Sequence, residues 1–165
     1  MDEEEVLSKK LTDTLRGVKL DERYYRFFNE IRHHVAASNL KKSDLESVLK
    51  EANEAFRYDS KEAFFYTEPE KIGSCEVTLR VRFRNDEAEF ILGLKTPVGR
   101  GGGPFTRLAR EAGLSRDPGF SPKPAAPKLP FTNREQLAEI IRFGLEIYAD
   151  VVKALQTSDI CANKG

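Results

Sequence analysis

The sequence predicts an α+β fold in which an antiparallel β-meander packs against N-terminal helices and a long C-terminal helix. Three observations predict it: apolar residues at helical spacing before residue 57, strict alternation over 75–95, and a long amphipathic run after Thr132. A sheet with one apolar face needs a helical cover, which these helices can supply. We expect one domain over residues 1–165, because this length allows one substantial core and is short for two.

The segment 75–95 predicts a β-hairpin together with its register. A two-residue turn at Asn85-Asp86 sets apolar residues opposite each other on one face and opposite charges on the other. The apolar pairs are Val77–Leu94, Leu79–Leu92, Val81–Phe90 and Phe83–Ala88. The charged pairs are Glu76–Lys95, Arg82–Glu89 and Arg84–Glu87. A slip by one residue would destroy both patterns, so the register is strongly specified.

Apolar spacing predicts three helices before the sheet. The first covers residues 3–16, and the second begins at Asp21 and carries an aromatic stripe that we interpret as core. The third covers about 44–57 behind a capping box formed by Ser43 and Glu46. A homodimer through the aromatic helix is an alternative use of that stripe. Its members are Tyr24, Phe27, Phe28, Ile31 and Val35.

Three or four strands are predicted to form the meander. Residues 62–67 have strand composition and should pair with 75–84, which pairs in turn with 87–95. A fourth, edge segment is expected near 124–130. The last helix follows a capping box of Thr132 and Glu135, and we expect it to cover the apolar face of the sheet.

Charge is unevenly distributed along a chain whose formal net charge is zero. Residues 1–70 carry 12 basic and 16 acidic groups, whereas residues 95–134 carry 8 basic and 2 acidic groups, a local excess of +6. Such asymmetry can mark a site for phosphate or for an acidic protein, although folding can also scatter these charges. One face of the predicted sheet carries a row of arginines that could bind nucleic acid, namely Arg80, Arg82 and Arg84. The glutamates predicted on the opposite strand cancel much of the positive potential of these arginines.

Cysteine and histidine usage predicts neither a metal site nor a cofactor. Cys75 and Cys161 do not make a disulfide framework, and Cys75 is interpreted as a small buried apolar residue. His33 and His34 are adjacent, so on a helix they cannot chelate one metal together. The acidic N-terminus differs from a signal peptide, and no apolar run approaches a membrane span. We therefore expect a reduced, cytoplasmic protein with no membrane association, and a frayed tail over 157–165.

The segment 97–130 is predicted to be irregular and to hold the functional site. It contains three consecutive glycines and seven of the eight prolines, with a short helix after Pro104 that ends near Gly113. Its glycine-rich part, 99–104, is interpreted as a loop that could hold an anion at the helix N-terminus. It matches no phosphate-binding motif, so a tight connection is the alternative. The candidate ligand- or partner-binding residues are Arg100, Gly101, Gly102, Gly103, Phe105, Arg107, Arg110 and Phe120.

These observations favour a binding protein over an enzyme. The layout of helices, meander and final helix is shared by many small bacterial adaptor, chaperone and toxin-immunity proteins, which suggests a non-enzymatic module that binds a protein through 97–130. The alternative is a phosphate-ligand or nucleic-acid binder centred on 99–104. No catalytic residue is predicted, because no nucleophile or activated-cysteine signature is present. An enzyme with an acid/base site that the sequence does not reveal is a third hypothesis.

Overall fold

A computed structural model describes residues 2–34 and 36–162 of the chain, and it confirms the α+β prediction. The described residues form five α-helices, a short 3-10 helix and one antiparallel sheet of seven strands. The helices are α1 (Glu3–Gly17), α2 (Leu20–Ile31), α3 (Lys42–Ala52), α4 (Phe105–Arg116) and α5 (Arg134–Gln156). The strands are β1 (Arg57–Asp59), β2 (Phe64–Tyr66), β3 (Glu70–Ile72), β4 (Cys75–Arg84), β5 (Glu87–Thr96), β6 (Gly99–Pro104) and β7 (Leu129–Pro130).

The hairpin β4–β5 forms in the predicted register. All seven pairs expected from the sequence occur, from Glu76 opposite Lys95 to Arg84 opposite Glu87. The turn residues Asn85 and Asp86 both have positive φ, 52° and 59°. These values suit a type I′ turn, whose twist matches that of the two strands. The hairpin is therefore specified both by its turn and by its alternating faces.

The other strands flank this hairpin in the order β1-β2-β4-β5-β6. Strands β2 and β3 pair with different parts of β4, while β6 and β7 pair with opposite ends of β5. Strand β7 lies within the edge segment expected near 124–130. The region 99–104, which we expected to be a loop, is strand β6 instead. Helix α3 ends at Ala52, and Arg57, expected at the end of the third helix, is the first residue of β1.

The helices cover one face of the sheet and leave the other to solvent. Phe90 of β5 packs against Gly144 of α5, and its ring centroid lies 5.4 Å from that of Phe105 at the start of α4. On the same face the Tyr148 hydroxyl donates to the Val77 carbonyl at 3.1 Å. The long helix α5 therefore covers the apolar face, as the sequence predicts.

The aromatic stripe of α2 is core, as we interpreted it. Tyr24, Phe27, Phe28 and Ile31 are buried, and Phe27 stacks on Phe143 of α5 with ring centroids 4.2 Å apart. Val35, the last predicted member of the stripe, lies outside the described residues. The described residues of this stripe therefore pack within the core of the same chain. The homodimer remains a prediction.

Two predicted helix caps are shifted by one or two residues. Helix α3 begins at Lys42, where the Lys41 N–H donates to Asp44 Oδ2 at 2.9 Å, so Ser43 and Glu46 do not form its cap. Helix α5 is capped by Asn133, whose Oδ1 accepts from the Gln136 N–H at 2.9 Å, so the Thr132 and Glu135 capping box is also wrong. At α5, Asn133 competes with the neighbouring Thr132 for the N-cap, since both residue types favour that position. At α3, the N-cap is Lys41, a residue type that gives no N-cap signal in the sequence.

The C-terminal region corrects the prediction for both cysteines. Cys75 at the start of β4 and Cys161 form a disulfide with a Cα–Cα distance of 5.1 Å. Within the predicted frayed tail, the described residues include the 3-10 helix Asp159–Cys161, while residues 163–165 lie outside the described part. Among the described residues no helix is long and apolar enough to cross a membrane.

Candidate functional site

The candidate residues predicted from the sequence lie in four separate places. Phe105 is in the core: its side chain is 1% exposed and packs against Phe90. A ring in that position cannot contact a partner without unfolding the start of α4. Phe105 is therefore a packing residue rather than part of a binding surface.

Phe120 and Arg110 lie beside α2. The Phe120 ring packs over Gly113 and makes an edge contact with Tyr25, with centroids 5.4 Å apart. Burial raises the pKa of Tyr25, and the charge of Arg110 opposes that shift. The Tyr25 hydroxyl donates to the Ala125 carbonyl at 2.7 Å. This group attaches the proline-rich segment to the helices, as does the bond from the Tyr24 hydroxyl to the Pro127 carbonyl at 2.6 Å.

Two of the candidate glycines of β6, Gly102 and Gly103, have structural reasons to be glycine. Gly101 faces α1, with Leu11 and Leu7 in van der Waals range of any Cβ placed there. Gly102 has a φ of +101°, a conformation that other residues rarely adopt. The Arg107 guanidinium lies over Gly103 and donates to the Gly102 carbonyl. An anion site at this helix N-terminus has no support from these contacts, because Arg107 is already engaged within the protein.

Arg100 belongs to a group of basic side chains on the face of the sheet opposite the helices. Strand alternation places them there, because their sequence neighbours on β4 and β5 point into the core. Four of these side chains are exposed and Arg82 is half-buried. We call this surface the basic face, and its members are Arg80, Arg82, Arg84, Lys95 and Arg100.

None of these five basic side chains forms an ion pair within residues 2–34 and 36–162. The glutamates opposite them were expected to cancel their field, but Glu89 lies nearer to Lys128, at 4.0 Å. Arg80 lies over the Phe64 ring, 4.9 Å from its centroid. The predicted register is correct, yet it does not bring the predicted charge pairs into ion-pair contact.

The basic face has an apolar centre. Tyr66, Arg80, Ile91 and Pro104 occupy directly opposed positions on four consecutive strands. Of these, Tyr66, Ile91 and Pro104 are partly exposed, so solvent reaches an apolar strip at the middle of the sheet. An apolar centre within a charged rim is the usual anatomy of a protein interface.

No family model, curated protein or solved structure matches this chain. The function of the basic face must therefore be inferred from its own chemistry. Within the described part of the chain, no group of three or more His, Cys, Asp or Glu residues could hold a metal ion.

A second surface feature is a groove of about 470 Å³ between α1, the β5–β6 turn and the C-terminal segment. We call it the terminal groove. Val6 and Val98 line it and are 36% and 44% exposed, which makes them two of the three exposed large apolar side chains among the described residues. The ion pair between Lys10 and Asp159, at 2.8 Å, lies at its wall. No pattern in the sequence indicates this groove, because its parts are far apart along the chain.

Proposed function

We propose that this protein is a non-enzymatic protein-binding module whose basic face docks an acidic segment of a partner protein. The observation that carries the proposal is the set of five basic side chains that have no ion pair within the described residues. Of the region 97–130, which we first considered as the partner surface, Arg100 belongs to this face. Adaptor, chaperone and toxin-immunity proteins remain the kinds of protein that such a module would resemble.

The composition of the basic face supports a protein partner. Arginine and tyrosine are enriched in interface positions that contribute most to binding, and Arg80 and Tyr66 lie directly opposite each other on β4 and β2. The partly exposed Ile91 beside them offers apolar area that a partner could bury. An acidic segment that also carries apolar side chains could pack these against the centre of the basic face and form ion pairs with the charged residues around it.

A nucleic acid or a phosphate ligand is the alternative occupant. Contacts to a phosphate backbone provide much of the affinity for nucleic acid, so cations without intervening anions suit that ligand best. Glu76, Glu87 and Glu89 lie on the same face as the basic side chains and would repel phosphates. A protein can place its own lysines or arginines against those glutamates. We therefore favour a protein partner.

Binding of two labelled probes distinguishes these occupants. We would titrate the chain with an acidic peptide rich in Glu, Asp and Tyr that also carries Lys to oppose the glutamates of the basic face, and with an oligouridylate of similar length, at low and physiological salt. The test variant is Arg82→Glu/Arg100→Glu. The control is Lys9→Glu/Lys153→Glu, which changes the net charge equally at two exposed helix positions.

The proposal predicts that the peptide binds more tightly than the oligouridylate, and that the test variant weakens peptide binding by about tenfold or more while the control changes it little. Equal effects of both variants would mean that only net charge matters, which contradicts a defined site. Tighter binding of oligouridylate, lost in the test variant, would assign the basic face to nucleic acid instead.

Cytoplasmic location remains a prediction. Disulfides persist in oxidising compartments and are rare in the reducing cytosol, so the Cys75–Cys161 bond weighs against a permanently reducing environment. Cell fractionation followed by electrophoresis without reductant would give both the compartment and the state of this bond.

A further inference from the structure

The disulfide attaches the C-terminal segment to the start of β4. The segment is Ser158–Ala162, which follows α5, and its Cys161 is 3% exposed. Beside the disulfide, the Ser74 N–H donates to the Cys161 carbonyl at 3.1 Å, and the Ser74 hydroxyl donates to the Ala162 carbonyl at 3.2 Å. These contacts all join one short segment to one turn of the sheet.

The same segment forms a wall of the terminal groove. Asp159, Ile160 and Ala162 line the groove together with Val6 and Val98. The position of the C-terminal segment therefore determines how wide the groove is and how much of the α1 surface beneath it solvent can reach.

The non-covalent contacts of the segment include Ile160, which is partly buried against the core, and polar contacts near the surface. The ion pair from Lys10 to Asp159 joins side chains that are 44% and 72% exposed, and such pairs contribute little to stability. Ile160 is only partly buried, and the two Ser74 hydrogen bonds lie near the surface. By contrast, Leu155 near the end of α5 is fully buried, so the helix itself is held by the core.

We propose that the Cys75–Cys161 disulfide is a reducible clamp that holds the C-terminal segment in place and keeps the terminal groove narrow. In the oxidised chain the segment is docked. In the reduced chain it detaches as a local unit, because its remaining contacts are weak, and the groove opens while the sheet and α5 stay folded.

The reductant is a dithiol, either a small molecule or the Cys-X-X-Cys site of a reducing protein. A thiolate of the dithiol attacks one sulfur of the disulfide, the S–S bond breaks, and a mixed disulfide forms. The second thiol of the reductant then displaces the remaining sulfur. The dithiol is oxidised to a disulfide, and two electrons and two protons pass to Cys75 and Cys161, which become thiols.

Both cysteines are almost completely buried, at 1% and 3% exposure, so the reductant must wait for the segment to open. Reduction should therefore be slow in the folded chain, and it should be faster in a variant with fewer contacts along the segment. Ser74→Ala removes the hydroxyl bond to Ala162 without touching either cysteine.

Hydrogen exchange measured by mass spectrometry tests the clamp on the full chain. We would compare the oxidised protein, the protein treated with dithiothreitol, and Cys161→Ser with and without dithiothreitol. We expect reduction to raise exchange by about tenfold or more in residues 157–162 and in the first half of α1, with little change in β4 and β5. Cys161→Ser should exchange like the reduced protein and should not respond to dithiothreitol.

Three results would overturn the proposal. Alkylation that finds two free thiols in protein purified without reductant would show that the clamp does not form. Unchanged exchange on reduction would show that the segment is held without the disulfide. A rise throughout the chain, including β4 and β5, would show that the bond stabilises the whole fold. Reduction of the unmodified chain gives these answers even if Cys161→Ser fails to fold.

Discussion

Lys95 on β5 lies directly opposite Arg100 on β6, so two like charges share an exposed cross-strand site. Like charges in this arrangement destabilise a sheet, because side chains of opposed residues lie close together. The basic face therefore contains an unfavourable interaction that an acidic ligand would relieve. This links the stability of the fold to the binding that we propose.

Replacing Arg100 with Glu should stabilise the fold and weaken binding to an acidic partner. The new glutamate would lie opposite Lys95 and convert repulsion into attraction, raising the free energy of unfolding by about 0.2–1 kcal/mol. Urea unfolding at low salt measures this gain, and the gain should shrink at high salt.

Arg84→Glu is the matched comparison, because it makes the same substitution on the same face but sets the new glutamate opposite Glu87. We expect it to lower the free energy of unfolding by a similar amount and to weaken binding as well. If Arg100→Glu and Arg84→Glu changed the free energy of unfolding in the same direction, the charge of the cross-strand neighbour would not determine these stability changes.

Two buried tyrosines should make the fold sensitive to alkaline pH. Burial raises the pKa of Tyr24 and of Tyr148 well above the ordinary value, because the phenolate would lose its hydration. Their contribution to stability is complete below the unfolded pKa of about 10 and declines as the pH rises above it. The free energy of unfolding, measured at increasing pH from pH 8 upward, should fall. It should fall less steeply in Tyr24→Phe than in the unmodified chain. An equally steep fall with pH in Tyr24→Phe would contradict the contribution of the buried Tyr24 hydroxyl to this pH dependence.

The ion pair between Asp21 on α2 and Arg116 on α4 should respond unequally to removal of its partners. The Asp21 side chain is 5% exposed and that of Arg116 is 36% exposed, with Oδ2 and Nε 3.1 Å apart. Arg116→Met leaves a buried carboxylate without this partner, whereas Asp21→Asn leaves an arginine that water can reach. Thermal unfolding should show the larger loss for Arg116→Met, with partial recovery in the double variant.

Gly144 on α5 should not tolerate a larger residue, because the Phe90 ring occupies the space that a Cβ would need. We expect Gly144→Ala to lower the free energy of unfolding by about 1–3 kcal/mol through overpacking. Gly17→Ala is the control, since nothing lies within 4 Å of a Cβ there, and it should be neutral or stabilising by up to about 1 kcal/mol. Similar effects at both positions would argue against the close packing of α5 on the sheet.

The hairpin was predictable because two independent signals agree. The turn at Asn85-Asp86 and the alternation on both sides of it demand the same register, and the core-facing residues of β4 and β5 are buried accordingly. The same reasoning identified the aromatic stripe of α2 as core. The periodicity of apolar residues indicates which residues face the core, and it is most informative in long helices and strands.

Other features depend on contacts between distant residues and could not be predicted. Strand β6 is rich in glycine, which has low strand propensity, and it forms because β5 offers an edge with which it pairs. The disulfide joins residues 86 positions apart, a pairing that two isolated cysteines do not reveal. The burial of the candidate residue Phe105 was not predictable for a similar reason, since it depends on packing against the Phe90 ring.

Affinity capture from a lysate of the source organism, with and without nuclease treatment, tests the central claim most directly. The bait would be the unmodified chain, Arg82→Glu/Arg100→Glu and Lys9→Glu/Lys153→Glu, with captured proteins identified by mass spectrometry. We predict one acidic protein that the unmodified chain and the control retain in stoichiometric amount and that the basic-face variant loses. Retention of the same protein by all three baits, or capture that nuclease abolishes, would contradict a protein-binding role for the basic face.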